Sequence, residues 1–225
     1  WAPGASYSVL EHVLDLAALA DVVGKKQGSG VPLRLIGHSL GGVISSIYTA
    51  LYPERVSHLV NMEGWGPPPG WRKAKTAVES MRAWIEEIRQ AELRDARTYP
   101  TIEAAVGRMR QVNAQLSDEV AHHLTVHGTN WNADGSLVWK FDNFVRVFPP
   151  GQKGDDLREV LGAIRCPVLA LWGTQSFITD PETDPRVAAI PKRTIVKIPD
   201  AGHWLHHDRL GVVLENALDF LAKPE

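Results

Sequence analysis

Between residues 31 and 62 the chain reads VPLRLI, then GHSLGG, then an apolar stretch that stops before Pro53, then VSHLVNM. Two short apolar runs bounded by glycine or proline, with a helix-length segment between them, predict strand, helix, strand within about 30 residues, the crossover unit of a parallel sheet. The expected strands cover residues 31–36 and 56–62, and the expected helix residues 42–52. Residues 37–41 fall where the first strand must turn sharply into the helix. A turn this tight holds its apex, Ser39, in a strained conformation and crowds the residues two before and two after it. Gly37 and Gly41 are therefore read as the positions where a larger side chain would collide. The backbone N–H of Leu40, at the start of the helix, then faces the serine oxygen, where the helix dipole favours negative charge. The plain alternative for Ser39 is a helix cap.

The rest of the chain extends this pattern. Helical periodicity runs over residues 7–23, a glycine-rich loop follows at 24–30, and strand-like runs return at 167–172 (PVLALW) and 194–198 (TIVKI) before a closing helix at 208–221. Between residues 64 and 160 the strand pattern is absent. A proline turn at 67–69 leads into helical stretches at 76–97, 101–115 and 117–126, so the segment is read as a helical insertion in an α/β domain. The expected organisation is residues 1–63, the insertion at 64–160, and residues 161–225. The insertion holds five of the eight tryptophans, Trp65, Trp71, Trp84, Trp131 and Trp139. Such an excess either packs the insertion or lines an apolar pocket, packing being the ordinary use of any one of them.

Composition excludes several function classes. The 225 residues are 44% hydrophobic, enough for a sizeable core, and 24 basic residues nearly balance 26 acidic ones. The longest basic stretch is the short one at 72–75, which argues against a nucleic-acid partner. The single cysteine, Cys166, borders a strand-like run and has no partner for an internal disulfide. No apolar run approaches the roughly 18 residues of a membrane span, and no signal-peptide pattern opens the chain, so a cytoplasmic location is expected. The nine histidines include His203, His206 and His207 beside Asp208. No second ligand group at metal spacing accompanies them, and neither metal nor cofactor is expected.

GHSLGG at residues 37–42, together with Gly202-His203 near the C-terminus, resembles the α/β-hydrolase superfamily over nearly the whole chain. The resemblance implies an α/β-hydrolase fold, a mostly parallel sheet flanked by helices with a helical cap insertion. It implies Ser39 as nucleophile and His203, in the loop after the last strand, as base, with the Leu40 N–H in the oxyanion hole. It also implies that several strands and a second oxyanion donor precede the strand at 31–36. Here only one helix precedes it, so the early strands are expected to be missing from this chain, which opens on Trp1 rather than methionine.

The family's commonest acid position lies in the loop after the penultimate strand, where this chain has Ser176, with Asp180 further along. Some members, haloalkane dehalogenases among them, place the acid after the strand that follows the nucleophile helix, and here that position is Glu63. A glutamate directly after an apolar strand is costly unless paired, so Glu63 ranks first and Asp180 is the alternative. Serine at position 39 argues against dehalogenase and epoxide hydrolase chemistry, which uses aspartate there. The expected activity is hydrolysis of a small, mostly apolar carboxylic ester through an acyl-enzyme, with His38, Trp131, Trp139 and Phe144 as candidate substrate-binding residues. The alternative is a ligand-binding member of the same fold with little or no catalysis.

Overall fold

A computed structural model of the chain describes residues 6–28, 30–68, 76–113, 116–147, 149 and 154–224. The tryptophan at 71, the basic stretch at 72–75 and the first five residues lie outside these. In chain order the elements are α1 (Val9–Gln27), β1 (Leu33–His38), α2 (Leu40–Leu51), β2 (Val56–Met62), α3 (Ala77–Glu92), β3 (Thr98–Tyr99), α4 (Ile102–Val112) and α5 (Asp118–Gly128). They continue with β4 (Thr129–Trp131), β5 (Leu137–Trp139), α6 (Gly154–Gly162), β6 (Val168–Gly173), α7 (Pro185–Ala188), β7 (Arg193–Ile198), α8 (Leu205–Asp208) and α9 (Leu210–Leu221). The chain divides into two compact units, residues 8–74 with 151–225, and residues 1–7 with 75–150.

The larger unit is a four-stranded parallel sheet in the order β1-β2-β6-β7. Strand β2 is paired on both sides and all seven of its residues are buried. Because successive side chains alternate faces, Leu59, Val168 and Ala170 point into one apolar cluster, which contains Val13 of α1, Tyr48 of α2 and Leu161 of α6. Val60, Leu169 and Leu171 point into the opposite cluster with Leu205 of α8 and Val213, Ala217 and Phe220 of α9. Strand β1 lies at the sheet edge, and Val31 and Ile36 are each more than half exposed.

Helix α1 begins two residues later than its periodicity suggests because Ser8 caps it. The Glu11 N–H donates to Ser8 Oγ at 3.2 Å, and Glu11 Oε2 accepts from the Ser8 N–H at 2.8 Å. The limits of the two units also differ from those read off the strand pattern. Trp65, Leu157 and Leu161 belong to the core of the sheet unit, which thereby takes in the described residues 64–68 and 154–160. No helix is expected at 154–162 from the sequence, and the absence of a strand pattern there does not tell which body the segment packs against.

The smaller unit corrects the expectation of an all-helical segment. Besides α3, α4 and α5 it contains an antiparallel sheet in the order β3-β5-β4. Its strands are two or three residues long, too short for alternation to register in the sequence. The turn between β4 and β5 is closed by the Asn132 N–H donating to the Ser136 carbonyl at 2.8 Å, with Gly135 in the left-handed region at φ 81°.

Candidate active site

Four segments leave the C-terminal ends of the parallel strands at one edge of the sheet: Ser39 after β1, Glu63 after β2, residues 174–178 after β6 and His203 after β7. This is the edge at which open α/β sheets present ligand sites. Ser39 has φ 54° and ψ −120°, a backbone conformation that L residues rarely adopt, and its N–H donates to the Met62 carbonyl at 2.8 Å. Such strain persists only where the surroundings impose it, and it concentrates at functional positions. Its side chain does not cap α2.

The close packing that imposes the strain falls partly on other residues than expected. A Cβ on Gly37 would meet the Gly41 carbonyl oxygen at 2.5 Å, in line with the sequence reading. A Cβ on Gly41 would meet nothing within 4 Å, and Gly42 is the crowded position instead. Gly42 faces the turn after β2, where a Cβ on Gly64 would come within 2.4 Å of the Gly42 Cα. The sequence shows a symmetric glycine pattern but not which turn will lie against the helix. Asn61 locks that same turn from within the buried strand. Its Nδ2 donates to Ser46 Oγ at 2.8 Å, and its Oδ1 accepts from the Gly64 N–H at 2.7 Å. Glu63, between Asn61 and Gly64, takes a left-handed φ of 56° that aims its side chain along the sheet edge.

Ser39, His203 and Glu63 are brought into hydrogen-bond contact. Glu63 Oε2 lies 2.6 Å from His203 Nδ1, and His203 Nε2 lies 2.9 Å from Ser39 Oγ. A carboxylate only accepts, so Nδ1 carries the imidazole proton and Nε2 presents its lone pair to the serine hydroxyl. Glu63 is 2% exposed, yet both its oxygens are satisfied: the Gly173 N–H donates to Oε1 at 2.8 Å, and the Ser176 hydroxyl donates to Oε2 at 2.6 Å. Asp180, the alternative acid, lies elsewhere, with Oδ2 accepting from Lys197 Nζ at 2.7 Å. That contact and the Glu182 N–H hold its carboxyl below the ordinary aspartate range, although partial burial acts the other way. Of the two carboxylates, Glu63 is the one hydrogen-bonded to His203.

His38, read from the sequence as a substrate contact, uses Nε2–H to donate to the His203 backbone carbonyl at 2.7 Å. Its ring lies 4.7 Å from that of His203 and 4.5 Å from that of His206. Burial, joined by the neighbouring histidines, pushes both His38 and His206 down from 6.5 to about 4. Each group thus stays neutral in the fold while it would protonate near 6.5 in the unfolded chain. The unfolded state binds more protons between those two values, so stability is expected to be level above pH 7 and to fall as pH drops from about 6.5 towards 4. Urea midpoints at pH 7.5, 6.0 and 5.0 check this. His38→Gln should shallow the decline, and an unchanged slope in that variant would rule His38 out as its source.

Asp208 Oδ2 accepts from the Gly202 N–H at 2.8 Å and so shapes the His203 loop. Among the described residues no group of three or more histidine, cysteine or acidic side chains is placed to hold a metal ion, and no helix is long and apolar enough to cross a membrane. Trp131, Trp139 and Phe144 belong to the smaller unit, where Trp131 is largely exposed on β4 and Trp139 stands edge-on to Tyr99 at 6.4 Å. Within the larger unit, two aromatic residues that sequence reasoning did not single out border the histidine. The Phe177 ring is 4.7 Å and the Trp204 ring 5.1 Å from that of His203. Phe177, Trp204 and Leu40 are all partly exposed.

A sequence profile described as the alpha/beta hydrolase fold matches residues 5–210. The chain therefore belongs to the alpha/beta hydrolase fold family. It is 24% identical over 231 residues to a cis-3-alkyl-4-alkyloxetan-2-one decarboxylase of Shewanella oneidensis, a match covering 99% of this chain and 69% of that protein. It is 30% identical over 143 residues to a serine hydrolase-like protein of Danio rerio, covering 62% of this chain and 41% of the relative. Among solved structures it resembles a thioesterase domain from the curacin biosynthetic pathway, with TM-score 0.77 and 23% identity over 95% of this chain and 74% of that one.

Proposed function

We propose that the protein is a serine hydrolase acting on a small, mostly apolar carboxylic ester or related acyl compound through an acyl-enzyme. The observation that carries this reading is the unbroken hydrogen-bonded line from buried Glu63 through His203 to Ser39, at 2.6 and 2.9 Å. In the proposed reaction Ser39 Oγ attacks the acyl carbon as His203 Nε2 accepts its proton. Glu63 keeps the imidazole in the required tautomer and stabilises the imidazolium that forms. Leu40 is the first residue of α2, so its N–H lacks an intrahelical acceptor and is free to meet the oxyanion, with the helix dipole behind it. His203 returns its proton to the leaving alcohol, then activates the water that releases the acid.

Leu40, Phe177 and Trp204 put apolar surface beside the reacting atoms, which supports an uncharged acyl group. The Shewanella oneidensis relative is named as a decarboxylase of an oxetan-2-one, a cyclic ester, so its named substrate shares the carbonyl ester group proposed here. The backbone strain at Ser39 and the completed proton chain favour turnover over a ligand-binding role.

The test is labelling with a fluorophosphonate followed by mass mapping, alongside release of p-nitrophenol from acetate, butyrate and octanoate esters. Label on Ser39 with ester turnover is the expected result. Folded protein that neither labels nor hydrolyses any of the esters would turn the assignment to a binding protein on this fold.

A further inference from the structure

We propose that Ser176 is a positioning residue that acts through Glu63, its hydroxyl holding the carboxylate oxygen that orients His203. This rests on the reading of Ser39, His203 and Glu63 as the reacting set. Three contacts carry it. Glu63 Oε2 receives both the Ser176 hydroxyl and His203 Nδ1, each at 2.6 Å. Ser176 Oγ in turn accepts from the Ile178 N–H at 3.1 Å, which leaves its single proton directed at Glu63. Glu63 Oε1 is taken by the Gly173 N–H at 2.8 Å.

The acid therefore belongs to the turn after β2, while its two donors other than His203 come from the end of β6 (Gly173) and the segment that follows it (Ser176). A glutamate side chain has more rotatable bonds than an aspartate, and one anchor on Oε1 leaves the carboxylate free to turn about its last bond. The second anchor on Oε2 fixes the lone pair that meets His203. Ser176 stands 2.6 Å from the acid, donates a hydrogen bond to it and carries no charge of its own, so its proposed effect on the reaction passes through Glu63.

The experiment is a double-mutant cycle on kcat and KM for p-nitrophenyl butyrate, joining Ser176→Ala and Glu63→Gln, with Ser176→Thr as the hydroxyl-retaining variant and melting temperature recorded for each. Ser176→Ala is expected to lower kcat about tenfold with KM within about twofold, the size of effect that loss of one hydrogen bond to a charged group produces. Ser176→Thr should stay near the parent, and Ser176→Ala should cause no further loss once Glu63 is glutamine. Full activity in Ser176→Ala while Glu63→Gln is slow would overturn the proposal and leave the reacting set intact. So would an equal loss from Ser176→Ala in both backgrounds, because that marks a role independent of Glu63. Unimpaired turnover in Glu63→Gln would instead remove the reading on which the proposal stands.

Discussion

Replacing Ser39 with alanine is expected to lower turnover of p-nitrophenyl butyrate by at least about 10⁴-fold and to abolish fluorophosphonate labelling, while the protein still folds. The hydroxyl is the only polar side-chain atom at the turn apex, and it alone stands 2.9 Å from His203 Nε2. Alanine keeps the backbone turn, because the Ser39 N–H to Met62 carbonyl bond and the Gly37 contact with residue 41 need no side chain. It bears the same strain at φ 54° that serine bears, so the loss falls on chemistry rather than on structure. The hydrogen bond to His203 that disappears is half-buried and neutral, and stability should change by no more than about 1 kcal/mol. Steady-state kinetics with a urea denaturation curve on the same preparation check both halves. Activity above a tenth of the parent in a folded variant would place the nucleophile elsewhere.

The parts of this arrangement that can be read from the sequence are those whose positions follow from local order. Ser39 and Glu63 stand directly beyond a strand, and His203 in the loop after one, and each of these strands betrays itself as a short apolar run, most fully β2, which is buried along its whole length. Residues 56–62 match β2 to the residue, since Pro53 and a glycine turn bound that run. What escapes the sequence is set by contacts between distant segments. Gly42, not Gly41, is the crowded glycine because the turn after β2 lies against it. Ser176 acquires a meaning only once Glu63, 113 residues away, is seen to reach it. Asn61 carries no signal of its own in the sequence, and its role lies in the buried turn it closes. The available signal was its place, a buried amide two residues before a glutamate at the end of a strand. The small sheet of the second unit escapes for a different reason, since strands of two or three residues show no period at all.

The Glu63→Gln variant should lose about 10³- to 10⁴-fold in kcat with little change in KM, although glutamine has nearly the same shape. Glu63 Oε1 accepts from the Gly173 N–H, so the amide oxygen must take that side, which leaves the amide NH₂ where Oε2 meets both Ser176 and His203. Facing an N–H donor, His203 must present its bare Nδ1 and carry its proton on Nε2. In that tautomer the imidazole donates to Ser39 Oγ and has no lone pair with which to take the serine proton. The other rotation of the amide restores an acceptor to His203 but sets NH₂ against the Gly173 N–H in a site that is 2% exposed, an uncompensated clash of donors. The clash disfavours that second rotation, so the variant mostly holds the first, which lacks a base poised for the first step, while Ser39, Leu40 and the apolar groups around the site are untouched and binding persists. Asp180→Asn is the matched control. Its carboxylate is held by Lys197 and the Glu182 N–H, and kcat should stay within about twofold of the parent. Kinetics of the two variants side by side decide the matter, because a fast Glu63→Gln with a slow Asp180→Asn would move the acid from the end of β2 to the segment after β6.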